Sequence, residues 1–234
     1  IAAAAGAARA DGPSQAAPFG PPVGDERIQS HLVVDQLEAR LGDDGAALRW
    51  QAEAWAGPDE WRVRLRSEGE RRADGRVDDG QLEALFEKPV TTYWNLDAGA
   101  RYDLDSGPGR TWAALGVSGL APGFVRLAAT GYAGRAGLAA KLEASTDLRL
   151  TQRLILQPEA EANLYGRADP ARRIGAGLSD LDAGLRLRYE ITRKFAPYLG
   201  LAYERRFCRT ADFAHVAGEP AHTLRLALGL RAWL

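Results

Sequence analysis

The chain has 234 residues, and its 30 basic and 31 acidic side chains give a formal net charge of −1. This length suits one large β domain, and the balanced charge gives no reason to expect a nucleic-acid partner. A single cysteine, Cys208, excludes an internal disulfide and a zinc-ribbon pattern, and no stretch approaches the ~18 consecutive apolar residues of a transmembrane helix.

Residues 1–30 are rich in Ala, Gly and Pro, and they are predicted to form an extended tail or a plug segment rather than a domain. The alanine-rich run 1–8 lacks the basic region of an intact signal peptide, so we interpret it as the stump of a processed one. Residues 31–234 are predicted to form a single β domain.

From His31 onward, apolar and polar residues alternate with a period of two, which is typical of strands that have one apolar face. The last segment shows this most clearly, because five leucines and Ala232 occupy every second position from Leu224 to Leu234. The pattern predicts about twelve strands, at residues 31–41, 46–56, 60–70, 80–88, 94–104, 110–119, 123–132, 137–147, 153–165, 178–190, 196–207 and 222–234.

The number of strands is even, and each is close to the ~9–11 residues of a tilted transmembrane strand. The links alternate between a mostly longer set (71–79, 105–109, 166–177 and 208–221) and a shorter set (57–59, 120–122, 148–152 and 191–195), with the short link at 42–45 as an exception. The sequence therefore predicts an all-β fold: a closed antiparallel transmembrane β-barrel with periplasmic termini, short periplasmic turns and longer extracellular loops.

Two segments fit this scheme less well. Residues 138–150 are rich in good helix formers, which makes a surface helix an alternative, but Leu138 and Leu142 alternate with Lys141 and Glu143 and favour a strand. Pro158 cannot donate a ladder hydrogen bond and is predicted to mark a bulge.

The period alone does not say which face points outwards. A soluble, lipocalin-like barrel would bury the leucines, whereas an outer-membrane barrel would turn them towards lipid. About twelve strands enclose more space than side chains can fill, since about eight already leave only just enough room. The other face carries charges of both signs, and Trp94, Tyr102, Tyr189 and Tyr203 lie near strand ends on the apolar face, where interfacial girdles sit. We therefore predict outward leucines and a charged lumen.

A series of longer motifs follows along the chain: Phe19-Gly-Pro-Pro-Val, Asp35-Gln-Leu-Glu38, Arg101-Tyr-Asp103, Gly119-Leu-Ala-Pro122, Leu150-Thr-Gln-Arg-Leu-Ile-Leu-Gln-Pro158, Gly177-Leu-Ser-Asp180, Leu185-Arg-Leu-Arg-Tyr-Glu190, Phe195-Ala-Pro-Tyr198 and Thr210-Ala-Asp-Phe213. Together they resemble the copper resistance protein B family over roughly residues 19–234. The resemblance implies a barrel of the bacterial outer membrane that moves or binds copper.

The resemblance also implies partners, namely outer-membrane lipid and periplasmic copper-binding proteins, and we expect a monomer without an organic cofactor. Family members often carry a Met- and His-rich stretch before the barrel. Residues 1–18 contain neither residue, and the whole chain has no methionine. A thioether Cu(I) site is therefore not expected, and Cu(II) or a hydrated ion is the better hypothesis.

Two groups of residues are candidates for contact with the ion. His215 and His222 flank Glu219 in the last loop, and imidazole with carboxylate suits Cu(II), although two solvated histidines are the alternative. Acidic residues on the polar face could line a cation path, because rings of Asp and Glu select cations, although a salt-bridged scaffold is the alternative. The predicted path comprises Glu38, Glu53, Asp97, Glu143, Glu159, Glu161, Asp182 and Glu204.

No catalytic site is expected, because Ser118, Ser145 and Ser179 have no obvious histidine partner in the sequence. A lipid hydrolase of the outer membrane remains an alternative, which a serine beside His31 or His215 would support. A third hypothesis is a structural or docking barrel with a blocked lumen. The leading hypothesis is a route or docking surface for copper ions between the outside and the periplasm.

Overall fold

A computed structural model describes residues 28–43, 45–105 and 109–233. Within these residues the chain forms thirteen strands, one 3-10 turn and one α-helix. The tail predicted for residues 1–30 lies outside the described residues up to position 27, and β1 begins at Gln29, two residues before the predicted start. None of the helices among the described residues is long and apolar enough to cross a bilayer.

The strands follow the predicted positions closely. They are β1 (Gln29–Gly42), β2 (Gly45–Gly57), β3 (Arg62–Arg72), β4 (Val77–Pro89), β5 (Trp94–Asp103), β6 (Arg110–Ala121), β7 (Val125–Gly134), β8 (Gly137–Ser145), β9 (Leu148–Arg149), β10 (Leu154–Tyr165), β11 (Gly177–Tyr189), β12 (Phe195–Arg206) and β13 (His222–Trp233). The 3-10 turn is Pro170–Arg172, and the helix α1 is Cys208–Val216.

The strands form one closed antiparallel sheet. Each long strand pairs with its neighbours in the sequence, β9 is a two-residue addition beside β10, and β1 pairs with β13 from Val33 opposite Trp233 to Leu41 opposite Leu226. Twelve long strands therefore make a barrel without an edge, as predicted. Closure gives the backbone N–H and C=O groups of every strand partners on both sides, whereas an open sheet would leave two edge strands unpaired.

The two ends of the barrel differ. The end where the described chain begins and ends, at residues 28 and 233, is here called the terminal end and has the turns 58–61, 90–93, 122–124 and 190–194. The opposite end, here called the loop end, carries the connection 166–176 with its 3-10 turn and the connection 207–221 with α1. The sequence predicted a loop at 208–221, and the structure places a helix in it.

The facing of the strands agrees with the prediction. Leu185, Leu187, Leu226 and Leu228 point outwards with 40–46% of their surface exposed, while Leu181 and Leu230 are half-buried. Arg186 and Arg188 are buried inside the barrel, and Glu159, Glu161 and Glu204 lie on the same lumen-facing side of their strands. The soluble, lipocalin-like alternative is wrong, because it requires the leucines to form the core.

Pairing with neighbouring strands determines the structure of the two segments, around 138–150 and Pro158, that fit the sequence pattern less well. Residues of β8 that favour a helix pair with both β7 and β10, so tertiary context overrides their propensity. The bulge predicted at Pro158 is not found, because β10 pairs with β8 as far as Glu159–Ser145 and with β9 from Leu156–Leu148 in one unbroken register. Pro158 has no N–H to donate, but its carbonyl oxygen still accepts a hydrogen bond from the N–H of Thr146 at 3.2 Å.

Gly99 allows β5 to approach β4 closely. A Cβ on Gly99 would contact the carbonyl oxygen of Ala84 and lie 2.9 Å from the Cα of Leu85, and both atoms belong to backbone that cannot move aside. A residue without a side chain is therefore required at this position of β5.

Replacing Gly99 with alanine is expected to destabilise the barrel by about 1–3 kcal/mol, because the added methyl group forces the two strands apart. Urea unfolding in detergent micelles, followed by tryptophan fluorescence, measures this loss. Gly131→Ala is the matched control, since the nearest atom to its Cβ would be 3.7 Å away. Equal urea midpoints for Gly99→Ala and Gly131→Ala would contradict the close contact between β4 and β5 as the cause of the loss.

A candidate cation site in the barrel lumen

Three carboxylates meet halfway along the lumen. Glu143 in β8 and Glu161 in β10 stand directly opposite each other in the ladder, and Glu68 reaches them from β3 on the far side of the barrel. One carboxylate oxygen from each residue lies within 4.8 Å of the others. This group, here called the carboxylate triad, is the one set of three or more acidic, histidine or cysteine ligands that converges among the described residues.

Basic side chains surround the carboxylate triad. The ammonium of Lys141 bonds to Glu68 and lies 3.2 Å from Glu161. Arg66 donates to both oxygens of Glu143, at 2.5 and 3.0 Å. Arg49 approaches Glu161 to 3.6 Å. Three acids are therefore matched by three bases, and the arrangement ties β3 to β8 across the lumen.

A second buried network lies beside the triad. Glu38 is fully buried and accepts hydrogen bonds from Arg40, Arg186 and the hydroxyl of Tyr198, at 2.8–3.0 Å. Arg40 also bonds to Asp182 at 2.8 Å. Buried charges persist only when they are paired and hydrogen-bonded, and this network meets both conditions.

The predicted cation path is partly brought together. All eight of its carboxylates lie on lumen-facing positions, and each has an arginine or lysine within 4.0 Å: Glu38, Glu53, Asp97, Glu143, Glu159, Glu161, Asp182 and Glu204. Glu143 and Glu161 join the carboxylate triad, while the other six are distributed along the barrel. The path is thus lined by ion pairs rather than by unpaired acids.

The triad separates two cavities. One, of about 180 Å³, opens towards the loop end and is lined in part by Glu68, Asp180 and Glu219. The other, of about 560 Å³, opens towards the terminal end and is lined in part by Glu53 and Glu143. Arg49, Glu161 and Asp182 border both cavities. The two cavities therefore meet at a layer that contains Glu161 of the triad.

The predicted metal ligands His215, His222 and Glu219 do not converge as the carboxylate triad does. Both histidines are exposed, at the end of α1 and at the start of β13. Glu219 instead accepts hydrogen bonds from Arg173 and Arg206 and pairs with Arg72 of β3. Burial disfavours the charged form, but the hydrogen bond from Arg206 and the charges of these arginines outweigh it and hold the pKa of Glu219 below its ordinary value. An ionised Glu219 therefore fastens the 207–221 connection over the loop end.

No hydrogen bond between a serine and a histidine occurs among the described residues. Ser179 shares a hydrogen bond with Thr210 at 3.0 Å, and Ser145 accepts one from Arg126. His31 packs beside Trp55 at the terminal end, with ring centroids 5.9 Å apart. The arrangement that would support a lipid hydrolase is not present in this part of the chain.

The alternation of β3 and β8 places Glu68, Arg66 and Lys141 on the charged face, but nothing in the sequence singles them out. Nothing in the local sequence relates β3 to β8, because 73 positions separate Glu68 from Lys141. A cross-lumen pair follows only from the strand order of the closed barrel. Opposite charges at lumen-facing positions of strands on opposite walls are the one signal that could have indicated it.

Comparison with known proteins agrees with this architecture. The family model described as copper resistance protein B precursor (CopB) matches residues 28–234. The chain is 46% identical over 212 residues to the copper resistance protein B homolog of Pseudomonas syringae pv. tomato, covering 90% of this chain and 72% of that protein. It is 40% identical over 210 residues to copper resistance protein B of Escherichia coli, covering 89% and 71%.

Among solved structures, the NanC porin has a similar fold, with a TM-score of 0.53 and 13% identity, covering 86% of this chain and 98% of the porin. This likeness concerns the barrel alone. The sequence matches confirm the resemblance carried by the motifs, and the chain belongs to the copper resistance protein B family.

Proposed function

We propose that this barrel lies in the bacterial outer membrane and binds copper ions in its lumen during passage between the outside and the periplasm. The band of outward leucines supports the membrane location, because the charged residues in the middle of the strands point into the lumen. The short turns and both termini would face the periplasm, and α1 would face outwards. Copper is proposed as the metal because the chain belongs to the copper resistance protein B family. The observation that carries the mechanism is the convergence of Glu68, Glu143 and Glu161 between two cavities.

The chemistry of the triad fits Cu(II) as cargo. Carboxylate oxygens bind divalent ions, and Cu²⁺ binds a given set of such ligands more tightly than the other common divalent first-row metals do. Oxygen ligands without thiolate or thioether hold the ion weakly enough for release, and conduction needs both entry and exit. Acidic groups in a narrow passage with low-dielectric walls also concentrate cations.

A structural or docking barrel is the second candidate. The structural role is favoured by the pairing of every predicted path carboxylate with a base, because such ion pairs can stabilise the wall without any bound metal. In this case periplasmic copper-binding proteins would dock at the terminal end, and copper would not cross the lumen.

Neutralising the triad distinguishes the two candidates. A variant with Glu68→Gln, Glu143→Gln and Glu161→Gln is expected to lose copper uptake into proteoliposomes and the Cu(II) signal in electron paramagnetic resonance, because the amides cannot balance the charge of the ion. Glu60→Gln, in an exposed turn, is the matched control. Heat-modifiable migration in gels verifies that each variant is folded. Equal uptake by the triad variant and the native chain, or none above empty liposomes, would leave the docking role.

A further inference from the structure

Lys141 extends from the middle of β8 into the layer where the three carboxylates meet. Its side chain is 1% exposed, and its ammonium bonds to Glu68 while lying 3.2 Å from Glu161 and 4.0 Å from Glu143. The ammonium therefore occupies the position that a free cation would take between the same oxygens. The triad already contains a positive charge, and that charge belongs to the chain.

Lys141 differs from the two arginines that share the triad. Arg66 is held as a planar fork by both oxygens of Glu143, and Arg49 also donates to Gln36 at 3.3 Å. A lysine ammonium is a compact charge on a flexible four-carbon stem, with no fork geometry to preserve. Of the three bases, Lys141 is therefore the one that can leave the carboxylates and rebind them without breaking a bidentate hydrogen bond.

The ammonium lies among three carboxylates that border the two cavities described above. Glu68 borders the cavity at the loop end, Glu143 borders the one at the terminal end, and Glu161 borders both. Lys141 bonds to Glu68 and lies within 4.0 Å of the other two. Its side chain thus lies within this carboxylate layer, and it lines neither of the two cavities itself.

We propose that Lys141 is a tethered counter-ion that closes the lumen at rest and yields its position to a divalent cation but not to a monovalent one. A monovalent ion offers the triad the same charge as the ammonium, and the tether gives the ammonium a high effective concentration. A divalent ion offers twice the charge at a similar distance, so the Coulomb attraction to the three carboxylates is about doubled. The proposal depends on the proposed function only for the identity of the divalent ion.

Potassium flux through proteoliposomes tests the closure without any copper. The native barrel is expected to pass little K⁺, and Lys141→Met is expected to raise the flux by about tenfold, because it leaves the triad without its ammonium. Lys141→Arg should remain closed. Arg188→Met is the matched control, since it removes a buried lumen-wall cation that pairs with Asp147 near the terminal end, away from the triad.

Copper binding tests the competition. Cu(II) titration monitored by electron paramagnetic resonance should give about tenfold tighter binding for Lys141→Met than for the native chain, because the ion no longer displaces an ammonium. If the methionine variant does not fold, Lys141→Gln, with a polar group of similar length, carries the same comparisons.

The outcomes separate this proposal from the proposed function. Unchanged K⁺ flux and unchanged copper affinity in both Lys141→Met and Lys141→Gln would overturn the role of Lys141. So would an equal rise in flux for Arg188→Met, because the leak would then follow the loss of any lumen ion pair. A rise in K⁺ flux specific to Lys141, with no copper binding by any variant, would support the counter-ion role and contradict copper as the cargo.

Discussion

Replacing Glu38 with glutamine is expected to destabilise the barrel by about 3–5 kcal/mol, because it removes the buried negative charge that two buried guanidinium groups share. Glu38 is fully buried and serves Arg40, Arg186 and Tyr198 at once. Glutamine has nearly the same shape, so the loss isolates the charge from the packing. Urea unfolding in micelles with tryptophan fluorescence is the measurement.

Two controls define the source of this loss. Arg126→Gln removes a partner of an exposed pair, with Asp147 at 3.4 Å, and should cost no more than about 1 kcal/mol. The double variant Glu38→Leu with Arg186→Leu should cost less than the sum of its single changes, because both charges leave together. If Glu38→Gln lost less free energy of unfolding than Arg126→Gln, water would have to reach the Glu38 network and compensate for the missing charge.

Replacing Leu228 with arginine is expected to cost about 2–4 kcal/mol of folding free energy in lipid vesicles, because it places a charge on the outer wall near mid-membrane depth. Leu228 lies in the middle of β13, is 46% exposed and is paired with Leu199 and Ala39. Denaturant titration of folding into vesicles measures this cost.

Leu224→Arg is the depth control for this prediction. Leu224 has the same outward facing but lies near the loop-end start of β13, where the cost should fall to about 0–1 kcal/mol. Equal costs at the two positions would contradict a bilayer that spans the middle of the leucine band, and with it the proposed membrane location.

The candidate site was harder to predict than the wall that supports it. The sequence predicts lumen positions for Glu143 and Glu161, because their strands alternate cleanly and are nearly adjacent along the chain. Glu68 and Lys141 were recognised only as members of the charged face. The helix α1 was also missed, since its nine residues carry no alternation and no cap signal, and the side chain of Phe207 at its N-cap makes no capping hydrogen bond.

The sequence by itself determined the number of strands, their positions to within a few residues and which face of each is charged. A period of two is a local property, and each leucine band can be read without knowing its neighbours. Only the tertiary structure decided that ion pairs cross the lumen halfway along it and that Lys141 lies among three carboxylates. Those contacts join β3 to β8 across a space whose width depends on the closure of all twelve strands, and no single strand encodes that distance.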